Sequence, residues 1–110
     1  MKALDKFTVH PGKALLVIVD AQNEFLKPGG KLYPTETRPL LPGIIANIDR
    51  LAGRARVAGV PTIYIHSVRT LQEPEFTIFG HEPFLILGAW KSEIVDELKP
   101  REGDIVIQKF

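Results

Sequence analysis

With 110 residues, the chain has room for at most one small domain, which would bury only about two-thirds of the surface that its unfolded form exposes. Fourteen Lys and Arg against thirteen Asp and Glu give a formal net charge of +1, so the charge balance favours neither nucleic acid nor an anionic membrane as a partner. The sequence contains no cysteine, which excludes disulfides, thiolate metal sites and a cysteine nucleophile from within these residues.

The overall composition is that of a globular protein, with 45% hydrophobic and 25% charged residues. The first residues lack the apolar stretch of a signal peptide, and no run reaches the roughly 18 apolar positions that a membrane span needs. We therefore expect a cytoplasmic protein without a membrane partner.

A first strand is predicted over residues 14–19, where an unbroken apolar run ends at Asp20. Continuous rather than alternating hydrophobicity is typical of a strand that is buried on both faces, as in a parallel sheet. A helix is predicted to begin at Pro42-Gly43, because apolar residues recur there at helical spacing, and to end at Ala58-Gly59.

Two further strands are predicted later in the chain. Residues 62–66 form a short β-branched run introduced by Pro61, and residues 105–107 form another after a Gly-containing turn. The last strand leads to Lys109. Each strand is separated from the one before by a stretch long enough for a parallel crossover.

The stretch between these two strands is predicted to hold a long loop and a second helix. Residues 67–87 carry prolines, glycines and scattered aromatics, which is typical of a functional or disordered loop, here with one helical turn. Ser92 is predicted to cap a short helix over residues 93–98 that ends before Pro100.

The order strand, helix, strand, helix, strand predicts an α/β fold: the N-terminal half of a doubly wound parallel sheet, Rossmann-like with three α/β/α layers. Half of such a sheet leaves one strand edge unpaired and one apolar face uncovered. We therefore expect residues 1–110 to form one incomplete domain, which a missing or separate C-terminal part would complete.

Two charged residues follow predicted strands, Asp20 after the first and Lys109 after the last. Ligands of open α/β sheets bind at the carboxyl ends of the strands, so we expect the two side chains to meet at one edge. A carboxylate beside an ammonium group is a candidate acid–base pair that still lacks a nucleophile. The alternatives are a solvated acid or helix cap at Asp20 and a surface lysine at Lys109.

Other residue types give weaker indications. His66 ends the second strand and His81 lies in the long loop, but no tight ligand spacing joins them to an acid, so a structural or substrate-facing histidine is favoured over a metal site. The glycines form no phosphate-binding motif, which rejects a nucleotide site. Aromatic residues in or beside the loops are expected either to line a pocket or to bury an interface; they are Phe25, Phe76, Phe79, Phe84 and Trp90.

Three segments in order carry a family resemblance. Residues 17–25 (VIVDAQNEF), residues 59–64 (GVPTIY) and residues 88–109, which end at Lys109, look like successive parts of the isochorismatase-like, or cysteine hydrolase, superfamily. Nicotinamidases, N-carbamoylsarcosine amidases and ureidoacrylate amidohydrolases are among its members. The resemblance spans almost the whole chain, which makes it more specific than any single motif.

The resemblance implies an Asp–Lys–Cys hydrolase on a doubly wound α/β fold. In such an enzyme Asp20 takes the proton of the cysteine thiol, and Lys109 favours the charged forms of both groups. Gln22 and Phe25 are implied to lie beside the reaction centre as substrate-binding residues, and Trp90 to help line the pocket. The thiolate attacks an amide or ureido carbon while backbone N–H groups bind the oxyanion.

The sequence departs from the family pattern in two ways. The family's cysteine lies several tens of residues beyond the lysine, so we expect a second chain or a C-terminal part to supply it. Nicotinamidase-type members carry an Asp-x-His pair for their metal, whereas residues 65–69 here read IHSVR. The resemblance therefore favours metal-free members without a cofactor that act on carbamoyl, ureido or related amide substrates.

The sequence leaves three functions open. The first is a small-molecule amidohydrolase that uses Asp20 and Lys109. The second is an isochorismatase-type vinyl ether hydrolase, which needs no cysteine and uses the acid to protonate its substrate. The third is a non-catalytic binding or assembly subunit of the same fold. Family members commonly assemble, so a homo-oligomer is also expected.

Overall fold

Three parallel strands form the centre of the computed structural model, which describes residues 8–110. They are β1 (Leu16–Val19), β2 (Thr62–Ser67) and β3 (Ile105–Lys109), and β2 lies between the other two. In the register of the sheet, Val17 lies beside Ile63, which lies beside Ile105. The three predicted strands and their parallel arrangement are confirmed.

A single long helix supports the sheet. The α-helices are α1 (Asn23–Leu26), α2 (Leu41–Val57) and α3 (Pro74–Thr77). Short 3₁₀ turns add to them, at Pro11–Lys13, Arg38–Leu40, Trp90–Ser92 and Asp96–Leu98. The predicted first helix is α2, with a proline in its first turn, where a missing N–H does no harm, and two arginines in its last turn, at the negative end of the helix dipole.

The prediction of a helix over residues 93–98 is wrong. Ser92 does not cap it, because its hydroxyl lies 2.7 Å from the Ile86 carbonyl and 2.8 Å from another loop carbonyl. Ile94 instead pairs antiparallel with Gln22 in an isolated bridge, and only Asp96–Leu98 forms a 3₁₀ turn. Six residues are too few to hold a helix by local bonds alone, so the tertiary pairing decides the conformation.

The hydrophobic core lies between one face of the sheet and α2. Strand residues alternate between the two faces, so every second side chain of β1 and β2 points toward the helix. The buried core consists of Ile18, Ala21, Ile45, Ala52, Tyr64, Val95 and Leu98. Its members come from the strands, from α2 and from the segment before β3, which ties the second crossover to the same face.

The opposite face of the sheet is apolar, and no other element among residues 8–110 covers it; we refer to it as the bare face. It consists of the intervening residues of the three strands: Val17, Val19, Ile63, Ile65, Ile105 and Ile107. The members on the outer strands are 45–53% exposed, and those on β2 are half-buried. Six aliphatic side chains in contact with water and aligned across three strands are typical of a surface that another element covers.

An ion pair ties the end of α2 to the start of β3. Arg56 donates from Nη2 to Asp104 Oδ2 at 2.7 Å and from Nε to Oδ1 at 3.3 Å, and Nη2 also donates to the Tyr64 hydroxyl at 3.2 Å. The Asp104 side chain is only 5% exposed. Hydrogen bonding to Arg56 holds the pKa of Asp104 below its usual value, and burial raises the pKa of Tyr64.

We expect Asp104→Asn, which keeps the size of the side chain but removes its charge, to lower the free energy of unfolding by about 1.5–3 kcal/mol at neutral pH. Because the folded-state pKa of Asp104 is lowered, the stabilisation is complete above the usual carboxyl pKa and is lost as the pH falls through the lower folded-state value. Urea unfolding of both proteins at decreasing pH should therefore show their difference shrinking in acid.

The exposed Asp96 provides the matched control for this experiment. We expect Asp96→Asn to change the free energy of unfolding by less than about 0.5 kcal/mol. Equal losses in the two variants, or a difference that does not depend on pH, would contradict the assignment of the Arg56–Asp104 pair.

Candidate active site

Asp20 occupies the first position after β1 and has an unusual backbone conformation. Its φ angle is +58°, in the left-handed region that Asp tolerates better than most residues. Its N–H donates to the Ile65 carbonyl at 2.8 Å, and its own carbonyl accepts from the Gln22 N–H at 2.8 Å. The chain therefore turns sharply at the carboxyl end of β1, with Asp20 at the turn.

The structure brings Asp20 and Lys109 together. Lys109 Nζ lies 3.4 Å from Asp20 Oδ1 and 3.5 Å from Oδ2. The Asp20 side chain is 35% exposed and the Lys109 side chain 48%, so an ion pair of this kind contributes only about 0–1 kcal/mol to folding. The arrangement places a partly solvated carboxylate and an ammonium group at the strand ends, where a substrate can reach both.

Ser67 is a third member of this cluster that the sequence reasoning missed. Its hydroxyl donates to Asp20 Oδ1 at 3.1 Å. Ser67 ends β2 and lies beside Lys109 in the sheet register, so both side chains belong to the same face. A polar residue at the end of each of three parallel strands could have indicated Ser67. The sequence analysis instead considered the preceding residue, His66, because its side chain is titratable.

Gln22 is completely buried and holds the neighbourhood of Asp20 in place. Its Nε2 donates to the Ser67 carbonyl at 2.7 Å and to the Ser92 carbonyl at 2.8 Å, while its Oε1 accepts from the Ser67 N–H at 3.0 Å. The backbone thus occupies both ends of the carboxamide. The expectation that Gln22 binds substrate stays a prediction, and the observed contacts are those of a structural brace.

The two aromatic residues expected at the pocket lie in segments held by α1. Phe25 is a half-buried member of α1, and Trp90 is 49% exposed. Asn23 fixes the position of Trp90, because its Nδ2 donates to the Trp90 carbonyl at 2.8 Å. A Trp side chain half open to solvent suits the wall of a pocket, although the substrate-binding roles of both residues stay predictions.

Glu24 is a buried carboxylate in α1 that the sequence reasoning also missed. Its Oε1 accepts hydrogen bonds from the backbone N–H groups of Lys31 and Leu32, the latter at 3.1 Å. A Cβ at Gly30 would lie 2.2 Å from the Glu24 carbonyl, so only glycine fits there. These contacts fold the loop after α1 back onto the helix that begins beside Asp20.

His66 precedes Ser67 but lies on the opposite face of β2, and it is half-buried. Among the described residues neither of its ring nitrogens has a hydrogen-bond partner, and burial lowers its pKa while the Asp20 charge opposes that shift. His81 is exposed in the loop. Within residues 8–110, no three His, Asp or Glu side chains converge on a possible metal position.

The long loop after β2 is ordered around Arg69. The Arg69 guanidinium forms ion pairs with Glu73 at 3.0 Å and Glu75 at 2.8 Å, and it lies 5.5 Å from the centre of the Phe84 ring. Phe84 in turn makes an edge-on contact with Phe76, with ring centres 5.5 Å apart. The predicted single helical turn is α3, and only Val68 separates Arg69 from Ser67. The loop therefore forms a packed wall beside the cluster.

The described part of the chain contains no helix that is both long and apolar enough to cross a bilayer.

The chain is similar to known proteins in sequence and in fold. Ureidoacrylate amidohydrolase RutB of Pseudomonas savastanoi pv. phaseolicola is 31% identical over an alignment 130 positions long, which covers 93% of this chain and 50% of that protein. N-carbamoylsarcosine amidase from Thermoplasma acidophilum superposes with a TM-score of 0.67 at 30% identity, over 88% of this chain and 51% of that one.

A third comparison concerns the fold alone. Cysteine hydrolase from Pseudomonas syringae pv. phaseolicola 1448A has a TM-score of 0.76 at 23% identity, over 94% of this chain and 49% of that one. The chain therefore spans about half the length of the relatives that it matches. The fold of those relatives agrees with the predicted half of an α/β sheet, which is confirmed.

The family assignment rests on a match to nearly the whole sequence. The sequence model of the isochorismatase domain family matches residues 14–110, from the first residue of the predicted first strand to the residue after Lys109. The resemblance found in the sequence is thereby confirmed, and the chain belongs to the isochorismatase domain family.

Proposed function

We propose that this chain provides the acid–base part of a hydrolase that cleaves a C–N bond in a small amide, carbamoyl or ureido compound. The observation that carries the proposal is the position of Lys109 Nζ, within 3.5 Å of both carboxylate oxygens of Asp20 at the carboxyl ends of the strands. Two relatives at 30–31% identity are named as amidases of ureido or carbamoyl compounds, which supports this substrate class.

The mechanism that fits this pair uses a cysteine from outside residues 1–110, because the sequence contains none. Asp20 accepts the thiol proton, and Lys109 stabilises the negative charges of the carboxylate and the thiolate. The thiolate forms a bond to the carbonyl carbon, and backbone N–H groups bind the oxyanion. The C–N bond then breaks as Asp20 returns the proton to the leaving amine, and water hydrolyses the thioester.

The exposed parts of the sheet suggest where that cysteine would be held. We propose that residues beyond this sequence, in the same or a second polypeptide, pair with the free edge of β1 and cover the bare face. Two features support this: the half-exposed aliphatic side chains of Val19 and Ile107, and relatives about twice as long as the chain. Asp20 lies at the end of β1, so a nucleophile on an added strand would come close to it.

The absence of cysteine from these residues leaves a second candidate function open. An isochorismatase-type vinyl ether hydrolase would use protonated Asp20 to transfer a proton to its substrate, and water would attack the resulting cation, so it would need no cysteine. A non-catalytic binding or assembly subunit of the same fold is the third candidate. Homo-oligomerisation and a cytoplasmic location stay predictions.

We expect Asp20→Asn and Lys109→Ala each to lower kcat on the order of a hundredfold or more in the complete enzyme, because one loses the proton acceptor and the other the stabilising charge. Steady-state kinetics on a ureido and on a carbamoyl substrate measure the effect. The matched controls are Asp96→Asn and Lys99→Ala, two exposed residues near the opposite ends of the strands, which should keep the parent kcat. Normal turnover by either site variant would end the mechanistic proposal.

We expect residues 1–110 expressed alone to self-associate through the bare face, because six aliphatic side chains and a free strand edge face water. Light scattering should show Val17→Glu and Ile105→Glu shifting the chain toward the monomer. Val57→Glu is the matched control, since Val57 is 91% exposed at the end of α2 and lies off the sheet. A parent chain that is monodisperse and monomeric would contradict this role of the bare face.

A further inference from the structure

We infer that Ser67 is a positioning residue that orients the Asp20 carboxylate, so that Oδ2 is the oxygen that receives and returns the proton. The inference rests on the proposed function, because it assigns a task within that reaction. Ser67 itself exchanges no proton with the substrate, and its hydroxyl hydrogen stays on the serine throughout.

The two carboxylate oxygens of Asp20 differ in the contacts that they make. Lys109 Nζ lies at ion-pair distance from Oδ1, at 3.4 Å, and donates a long hydrogen bond to Oδ2 at 3.5 Å. The Ser67 hydroxyl contacts only Oδ1, at 3.1 Å. Oδ1 is therefore occupied by a hydroxyl donor, and within residues 8–110 the sole polar side-chain contact of Oδ2 is the longer one to Lys109.

Hydrogen bonds hold the backbone of Ser67 in place. Its N–H donates to Gln22 Oε1 at 3.0 Å and its carbonyl accepts from Gln22 Nε2 at 2.7 Å, and the Gln22 side chain is fully buried. The next residue, Val68, donates its N–H to the Lys109 carbonyl at 2.9 Å. The hydroxyl thus projects from a backbone fixed on both sides, whereas the Lys109 ammonium group is on a long and exposed side chain.

Without the Ser67 hydroxyl, the orientation of the Asp20 carboxylate would be less restricted. Asp20 is 35% exposed and has a left-handed backbone conformation, and among residues 8–110 the only other polar side-chain contact of its carboxylate is the exposed Lys109. Partial rotation about its Cβ–Cγ bond would tilt the accepting lone pair away from the thiol. Proton transfer is sensitive to misorientation of this kind, so a fixed donor on one oxygen raises the fraction of productive encounters.

The test compares variants of the complete enzyme by kcat and KM on one ureido substrate. We expect Ser67→Ala to lower kcat about tenfold, with KM changing by less than about twofold, because the bound substrate loses orientation of the base rather than a contact. Ser67→Thr, which keeps the hydroxyl on the same strand, should restore at least half of the parent kcat.

A second pair keeps the test decisive if Ser67→Ala folds poorly. Ser67→Thr and Ser67→Val have nearly the same shape and differ in a hydroxyl against a methyl group, so a lower kcat for Val at equal thermal stability reports the hydroxyl alone. The matched control is Thr62→Val at the opposite end of β2. Thr62 Oγ1 is buried and has no partner among the described residues, so its loss should leave kcat unchanged.

Parallel measurement of Asp20→Asn separates the two levels of the proposal. If Asp20→Asn turns over normally, the proposed function itself fails. If Asp20→Asn is impaired while Ser67→Ala keeps the parent kcat, only the role of Ser67 is overturned. Equal losses of kcat in Ser67→Thr and Ser67→Val would likewise overturn it, because the hydroxyl would then have no effect of its own.

Discussion

The buried side chain of Gln22 is the interaction on which the site depends. One carboxamide bonds to the backbone at the end of β2 and to the segment that carries Trp90, while its own backbone bonds to Asp20. Replacing it with a shorter or apolar side chain would remove the Gln22 hydrogen bonds of three backbone groups, of which the buried Ser92 carbonyl would lose about 1–3 kcal/mol and the half-buried Ser67 groups less. Three segments distant in sequence thus share a single polar anchor.

This anchor lies at the boundary between two unlike faces of the sheet. On one face α2 and the segment before β3 bury Ile18 and Tyr64 in a continuous core. On the other, Ser67 and Lys109 end the same rows of alternating residues that form the bare face. Stability therefore comes from one side of the sheet and the candidate chemistry from the other, so the residues that fold the domain do not compete with those of the site.

Much of this could be predicted from the sequence, and the failures have physical reasons. Unbroken apolar runs identified the strands, and because parallel strands end at one edge, the meeting of Asp20 with Lys109 followed. The helix over residues 93–98 failed because loop carbonyls occupy the Ser92 hydroxyl and the segment pairs with Gln22. Ser67 was missed because its residue type alone does not indicate a role at the site. That role depends on the strand register, which places Ser67 beside Lys109.

The backbone of Asp20 restricts what can replace it during evolution. A φ angle of +58° disfavours side chains other than Gly, Asn and Asp by roughly 1–2 kcal/mol, so a glutamate would bring the same charge at a conformational cost and with one more rotatable bond. Of the three tolerant residues, only Asp is acidic. The backbone conformation and the acid–base chemistry thus favour the same amino acid independently. If the reaction were no longer selected for, Asn or Gly could replace Asp20 without changing the backbone at the end of β1.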